Sequence, residues 1–170
     1  MMEKIFQWRF LYLSLEASFI ALICFFIGDF LGGLVYGDKM HIGGLWCMIS
    51  ALVVLQSIAS DTLKSSKSRV IGTVIASIVS GIVCVAIGYG YLAIALSIGL
   101  CAYIMHSLKE NDGVRIATAT SAMITGFGLL NPDYSAVVNA IMRSVDTLVG
   151  VGFSVLVVYI SYKLKIRHSK

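Results

Sequence analysis

Six apolar runs, at about 10–36, 42–59, 70–88, 91–108, 114–130 and 144–162, leave this chain few ways to fold. Each is near the roughly 20 residues a helix needs to cross about 30 Å of hydrocarbon. Barrel strands would alternate apolar and polar residues over about ten positions, whereas these runs are continuous. Charged residues make up 13% of the chain, against roughly 25% in a soluble domain. The fold class predicted is therefore all-α, an integral membrane protein with six transmembrane helices. Gly88-Tyr89-Gly90 joins the third and fourth runs in a tight hairpin. The first run contains Glu16 and has no small-x-small cleavage site before Gly28, so it reads as a retained helix, with a bend expected near Gly28, Gly32 and Gly33. The polar stretches 60–68 and 131–142 are expected to lie between helices, as short interfacial segments.

Orientation follows from lysine and arginine placement. With the N-terminus in the cytoplasm, Lys4, Arg9, Lys64, Lys67, Arg69, Lys109, Arg115, Lys163, Lys165, Arg167 and Lys170 fall on the cytoplasmic side. Of the 13 basic residues only Lys39 and Arg143 do not. Six crossings with both termini inside preserve that bias; an odd number would break it. The basic residues sit at the ends of runs, which speaks for membrane orientation and against nucleic acid. Cys24, Cys47, Cys84 and Cys101 lie within apolar runs with no C-x-x-C among them, and His41, His106 and His168 are scattered, so neither a disulfide framework nor a metal site is expected. No catalytic triad or phosphate loop is visible, so the chain is not read as an enzyme, and no cofactor is expected.

Two segments repeat. Arg69-Val-Ile-Gly72-Thr73-Val-Ile-Ala76 lies over Arg143-Ser-Val-Asp146-Thr147-Leu-Val-Gly150, both R-x-x-[G/D]-T-x-x-[A/G] at an offset of 74. A polar connection precedes each arginine. The pattern divides the chain into two three-helix halves, 1–88 and 89–170. Three is odd, so the halves run in opposite directions, as in the inverted repeats of many transporters. On this reading Arg69 and Arg143 each open a helix, where unpaired N–H groups and the positive dipole end favour an anion.

The stretch 46–76 carries a resemblance. Trp46 opens its apolar run, Thr62-Leu63 lies in a basic connector, and Arg69, Gly72-Thr73 and Ala76 follow. It resembles the signature of the fusaric-acid-resistance and aromatic-acid-exporter family and of the related plant aluminium-activated malate transporters. The resemblance implies a six-helix membrane unit that moves organic anions as a dimer or paired unit. Most members carry a large cytosolic domain or two membrane units. This chain stops eight residues past its last apolar run, so it is expected to be a minimal, membrane-only member.

The leading expectation is an inner-membrane exporter of small organic carboxylates, aromatic ones above all. Arg69, Gly72, Thr73, Arg143, Asp146 and Thr147 are the substrate-binding candidates, and Glu16 is a coupling or pairing group. Its expected partners are the bilayer, a small organic anion and a second copy of the chain. A passive anion channel is the second reading and a non-transporting accessory subunit the third. Each candidate also has a plainer reading. Either arginine serves as an interfacial anchor, and Arg143 forms a local ion pair with Asp146 at i+3. Gly72, Ala76, Ser80, Cys84 and Gly88 make a packing stripe. The hydroxyls of Thr118, Thr120, Ser121 and Thr125 bond back to their own helix or line a path. Tyr36, Trp46 and Tyr162 read as interface anchors.

Overall fold

The computed structural model describes residues 2–36 and 41–167, without the side chains of 2–7, 9 and 36. Of the expected orientation signals, Lys39 and Lys170 lie outside the described residues, as do the side chains of Lys4 and Arg9 and that of Tyr36. The described chain is helical with no strand among its residues: α1 Met2–Tyr36, α2 Ile42–Val54, α3 Ala59–Ile87, α4 Tyr91–Ser107, α5 Asn111–Leu130 and α6 Ala136–Lys163. Four stretches are long and apolar enough to cross a membrane: Phe10–Val35, Ala59–Ile87, Asn111–Leu130 and Ala136–Lys163. The apolar helices α2 and α4, with 13 and 17 residues, are about 20 and 26 Å long.

The helix boundaries correct several expectations. The polar stretch 60–68 is no separate segment; it is the first third of α3, which runs unbroken for 29 residues. Nothing from 59 to 71 is glycine or proline, and Asp61 in the first turn suits the positive end of the helix. Serines are tolerated there by bonding back: Ser66 Oγ donates to Thr62 O at 2.7 Å. The break falls earlier, after Val54, where Leu55 turns extended at ψ 117°. Thr62 covers it, since its hydroxyl accepts from the Gln56 N–H at 3.0 Å. In the same way α6 begins at Ala136, ahead of the expected 144, and only 131–135 separates it from α5. α1 is continuous through Gly28, Gly32 and Gly33.

The chain gathers into two compact units, Met1–Ser66 with Leu148–Lys170, and Lys67–Thr147. The first holds α1, α2, the start of α3 and the second half of α6. Here α1 and α2 run antiparallel at very close approach. A Cβ on Gly28 would collide with the Gly43 carbonyl, and one on Gly43 with the Gly28 carbonyl. Ile20, Cys24, Cys47 and Ala51 form the buried core, with Val149, Phe153 and Val157 of α6 packed on it. Ser154 Oγ donates to Ala51 O at 2.8 Å.

The second unit holds the rest of α3, α4, α5 and the first half of α6. Ala76 of α3 packs with Cys101, Met105 and Ala117, and Ser80 Oγ donates to Ser121 Oγ at 2.9 Å. These units are not the sequence halves 1–88 and 89–170. Each contains one helix pair, α1–α2 or α4–α5, joined by a stretch of the third helix from the other half.

The α1–α2 contact gives a direct test. Gly43→Val should lower the thermal unfolding midpoint in detergent, at a cost of roughly 1–3 kcal/mol for the forced separation. Gly99→Ala, whose added Cβ meets nothing within 4 Å, should raise it, since alanine is favoured in a helix by about 1 kcal/mol. Circular dichroism melts of the two variants beside the parent protein check both signs.

Candidate functional site

Arg69, Gly72, Thr73, Arg143, Asp146 and Thr147 all belong to the second unit. Thr147 Oγ1 lies 3.5 Å from Thr73 Oγ1 as its hydrogen-bond donor, both side chains buried. The two threonines occupy the same place in the two copies of the repeat, 74 residues apart. Toward the other ends of the helices, a methyl on Gly81 would lie 3.3 Å from Ala140 Cβ. Residue numbers rise on α3 as they fall on α6, so the two helices run antiparallel here. α5 runs parallel to α3, with Gly72 against Gly113 and Ile116, and Ser80 against Ser121.

Each arginine sits one turn before its threonine, about 6 Å along the axis. Both are buried, Arg69 at 6% and Arg143 at 4% exposure. Neither opens a helix. Arg69 is the eleventh residue of α3 and Arg143 the eighth of α6, counted from Ala59 and Ala136. Their N–H groups are inside the helices, so the expected anion site at two helix N-termini is withdrawn. The polar residues before each arginine continue its helix instead of ending a connection. Charge on the side chains, not the backbone dipole, is what this region offers an anion.

Arg143 Nη2 lies 3.2 Å from Asp146 Oδ2, an i,i+3 ion pair with Asp146 wholly buried. The corresponding position on α3 is Gly72. A Cβ there would come to 2.9 Å from Ile116 Cγ2 and 3.1 Å from Gly113 O. The surrounding helices carry buried hydroxyls. Thr125 Oγ1 bonds back to Ser121 O at 2.8 Å, and Thr118 Oγ1 to Val114 O at 2.9 Å. Ser77 Oγ and Thr120 Oγ1 are buried with no hydrogen-bond partner among the described residues. Asn139 Nδ2 donates to Ile124 O at 2.9 Å.

Glu16 belongs to the first unit, and it has a full set of partners. Arg167 Nη2 and Nε donate to Glu16 Oε2 at 2.7 and 3.0 Å, and Ser161 Oγ donates to Oε1 at 2.5 Å. Ser161 Oγ also lies 3.0 Å from Tyr12 Oη, and Arg167 Nη1 donates to Gln56 O. Of the two expected roles, coupling or pairing, the geometry provides the pairing. The end of α6 makes this possible. The Ile166 N–H returns to Ser161 O at 3.0 Å and the Lys165 N–H to Tyr162 O at 2.9 Å, with Lys165 left-handed at φ 60°. That is a Schellman turn, and it carries Arg167 back toward α1. Arg167 was legible in the sequence only as an orientation charge. The one hint was that a carboxylate within an apolar run needs a partner.

Removing one member of this buried pair strands the other. Arg167→Ala should therefore cost about 3–5 kcal/mol of stability. The double variant Glu16→Gln/Arg167→Met should cost less than Arg167→Ala alone, because no uncompensated charge remains. Thermal unfolding of the single and double variants in one detergent measures the difference.

The chain matches the model of the fusaric acid resistance protein-like family over residues 20–157. No curated protein matches it, and no solved structure does. The matched stretch contains both copies of the arginine–threonine repeat. Together with four helices of spanning length, it makes this a multi-pass membrane protein of a transporter-type family. The resemblance carried by Trp46, Thr62-Leu63, Arg69, Gly72-Thr73 and Ala76 thus holds, and the chain belongs to the fusaric acid resistance protein-like family.

Proposed function

We propose that the protein is an inner-membrane carrier that exports small organic carboxylates, aromatic ones above all, and works as a homodimer. In this reading all six helices cross the membrane as two inverted three-helix repeats, with both termini cytoplasmic. The observation that carries it is the meeting of Thr73 and Thr147. Copies related by a two-fold axis touch through the same residue only on that axis. A contact between equivalent threonines on antiparallel helices supports such an axis through the middle of the site. Arg69 and Arg143 then flank it, one on either side along the crossing.

A carboxylate at either arginine gains a charge-assisted hydrogen bond, about 1.5–3 kcal/mol. The two arginines are not equal. Asp146 already holds Arg143 at 3.2 Å, so an anion there has to displace a carboxylate. Position 72 on α3 is glycine, so the carboxylate three positions after Arg143 has no counterpart in the other copy of the repeat.

Reconstitution into vesicles tests the reading. The purified protein should exchange labelled benzoate, and Arg69→Ala should lower that exchange by roughly 10- to 100-fold. Arg69→Lys keeps the charge and loses the planar fork, so it should recover only part. Absence of exchange by the parent protein for a panel of aliphatic and aromatic carboxylates would overturn the assignment. Currents far above a carrier's turnover would make it a channel.

The topology is checked separately. A cysteine at position 109 should react with impermeant maleimide only from the cytoplasmic side, and one at position 133 only from outside. Reaction of both from the same side would remove the alternating arrangement.

A further inference from the structure

In the first unit, the start of α3 and the second half of α6 enclose an open groove of about 560 Å³, lined by Leu63, Gly152, Val155, Leu156, Tyr159 and Tyr162 among others. No residue of the arginine–threonine site takes part in it. Its lining is almost wholly apolar. Its floor is Gly152, and a Cβ added there would meet nothing within 4 Å. No neighbour within the described chain therefore requires a glycine here, although glycine in a helix interior costs about 1 kcal/mol relative to alanine. The missing side chain leaves room for something outside the chain.

The surroundings separate two kinds of occupant. A second transmembrane helix comes close where small residues recur every fourth position. The positions one turn either side of Gly152 are Leu148 and Leu156, 52% and 53% exposed, and they hold another backbone off. A flexible hydrocarbon chain can lie between them. The groove runs along α6 from Gly152 to Tyr162, about 15 Å, which is half of the roughly 30 Å hydrocarbon core and so one leaflet deep. Its end is cationic. Lys163 Nζ sits 5.5 Å from the centroid of the Tyr159 ring that lines the groove. Exposed Lys64 follows Leu63 on α3, and exposed Asp61 lies on the turn before it. Lys163 places a positive charge at this end of the groove.

We propose that this groove holds one acyl chain of an anionic phospholipid of the bilayer, with the phosphate at Lys163. The apolar lining takes the chain, the length matches one leaflet, and Lys163 selects the headgroup charge. Tyr159 and Tyr162 stand at the level where aromatic rings meet headgroups.

Native mass spectrometry of the delipidated full-length protein, titrated with phosphatidylglycerol or phosphatidylcholine, tests this. The parent should bind one phosphatidylglycerol per copy in preference to phosphatidylcholine. Gly152→Leu should weaken binding of both lipids about tenfold by displacing roughly two methylenes from the groove. Lys163→Gln should lower the preference for phosphatidylglycerol about fivefold and leave phosphatidylcholine unchanged. The first substitution has open space to occupy and the second is on the surface, so both proteins should fold. Equal binding of the two lipids by the parent, or parent-like binding by both variants, overturns the proposal. So does a Gly152→Leu protein that changes from dimer to monomer with its lipid binding intact, since the occupant is then a second copy of the chain.

Discussion

Hydrocarbon offers no hydrogen-bond partner, so every polar group this chain carries into it needs one from the chain itself. That requirement explains features that look unrelated in the sequence. Thr62 turns back to bond Gln56 because the chain breaks between α2 and α3 and leaves backbone groups exposed there. Ser66, Thr118 and Thr125 bond to carbonyls one turn before them. Glu16 gathers Arg167 and Ser161 from the far end of the chain. The Glu16 pair is the costliest of these to build, since both ions leave water. It joins α1 to the residues after α6 and gives the C-terminal turn a fixed place.

Close approach is the second constraint, and it follows from the first. Helices in lipid gain little from hiding apolar surface, so they associate through tight backbone packing. Gly28 against Gly43 in one unit has its counterpart in Gly72 against Gly113 and Ile116 in the other. In both units the added helix comes from the opposite half of the sequence: α6 on α1 and α2, α3 on α4 and α5. Within the second unit α3 and the start of α6 run antiparallel, and Thr73 and Thr147 meet there.

Much of this was legible before any coordinates. Six apolar runs correspond to six helices, and the repeated arginine–threonine pattern marks two places that lie together. Helix boundaries were less legible, for a physical reason. Hydropathy treats Ser60 to Ser68 as a connection because its side chains are polar, but a helix is ended by backbone chemistry, and that stretch has neither glycine nor proline. The true break, at Leu55, sits inside an apolar run where composition is silent. Misplacing that break put Arg69 at a helix start and supported a dipole argument the structure removes. Arg167 was hidden differently. Its partner lies 151 residues away, and no local pattern encodes such a pairing.

The two copies of the repeat differ where packing demands it. On α3 the third position after the arginine is tightly enclosed, since a Cβ there would come to 2.9 Å from Ile116 Cγ2 and 3.1 Å from the Gly113 carbonyl. On α6 the equivalent position holds Asp146, which is wholly buried and pairs with Arg143. The two copies of the sequence repeat therefore differ in what stands three positions after the arginine. A ligand shifts a conformational equilibrium only by its difference in affinity for the two states. In the proposed carrier an anion at Arg143 meets Asp146, where the equivalent position after Arg69 holds Gly72. An acid at position 72 would require Ile116 of α5 to shift. The difference between the two copies is thus set by how closely α3 packs on α5 three positions after Arg69.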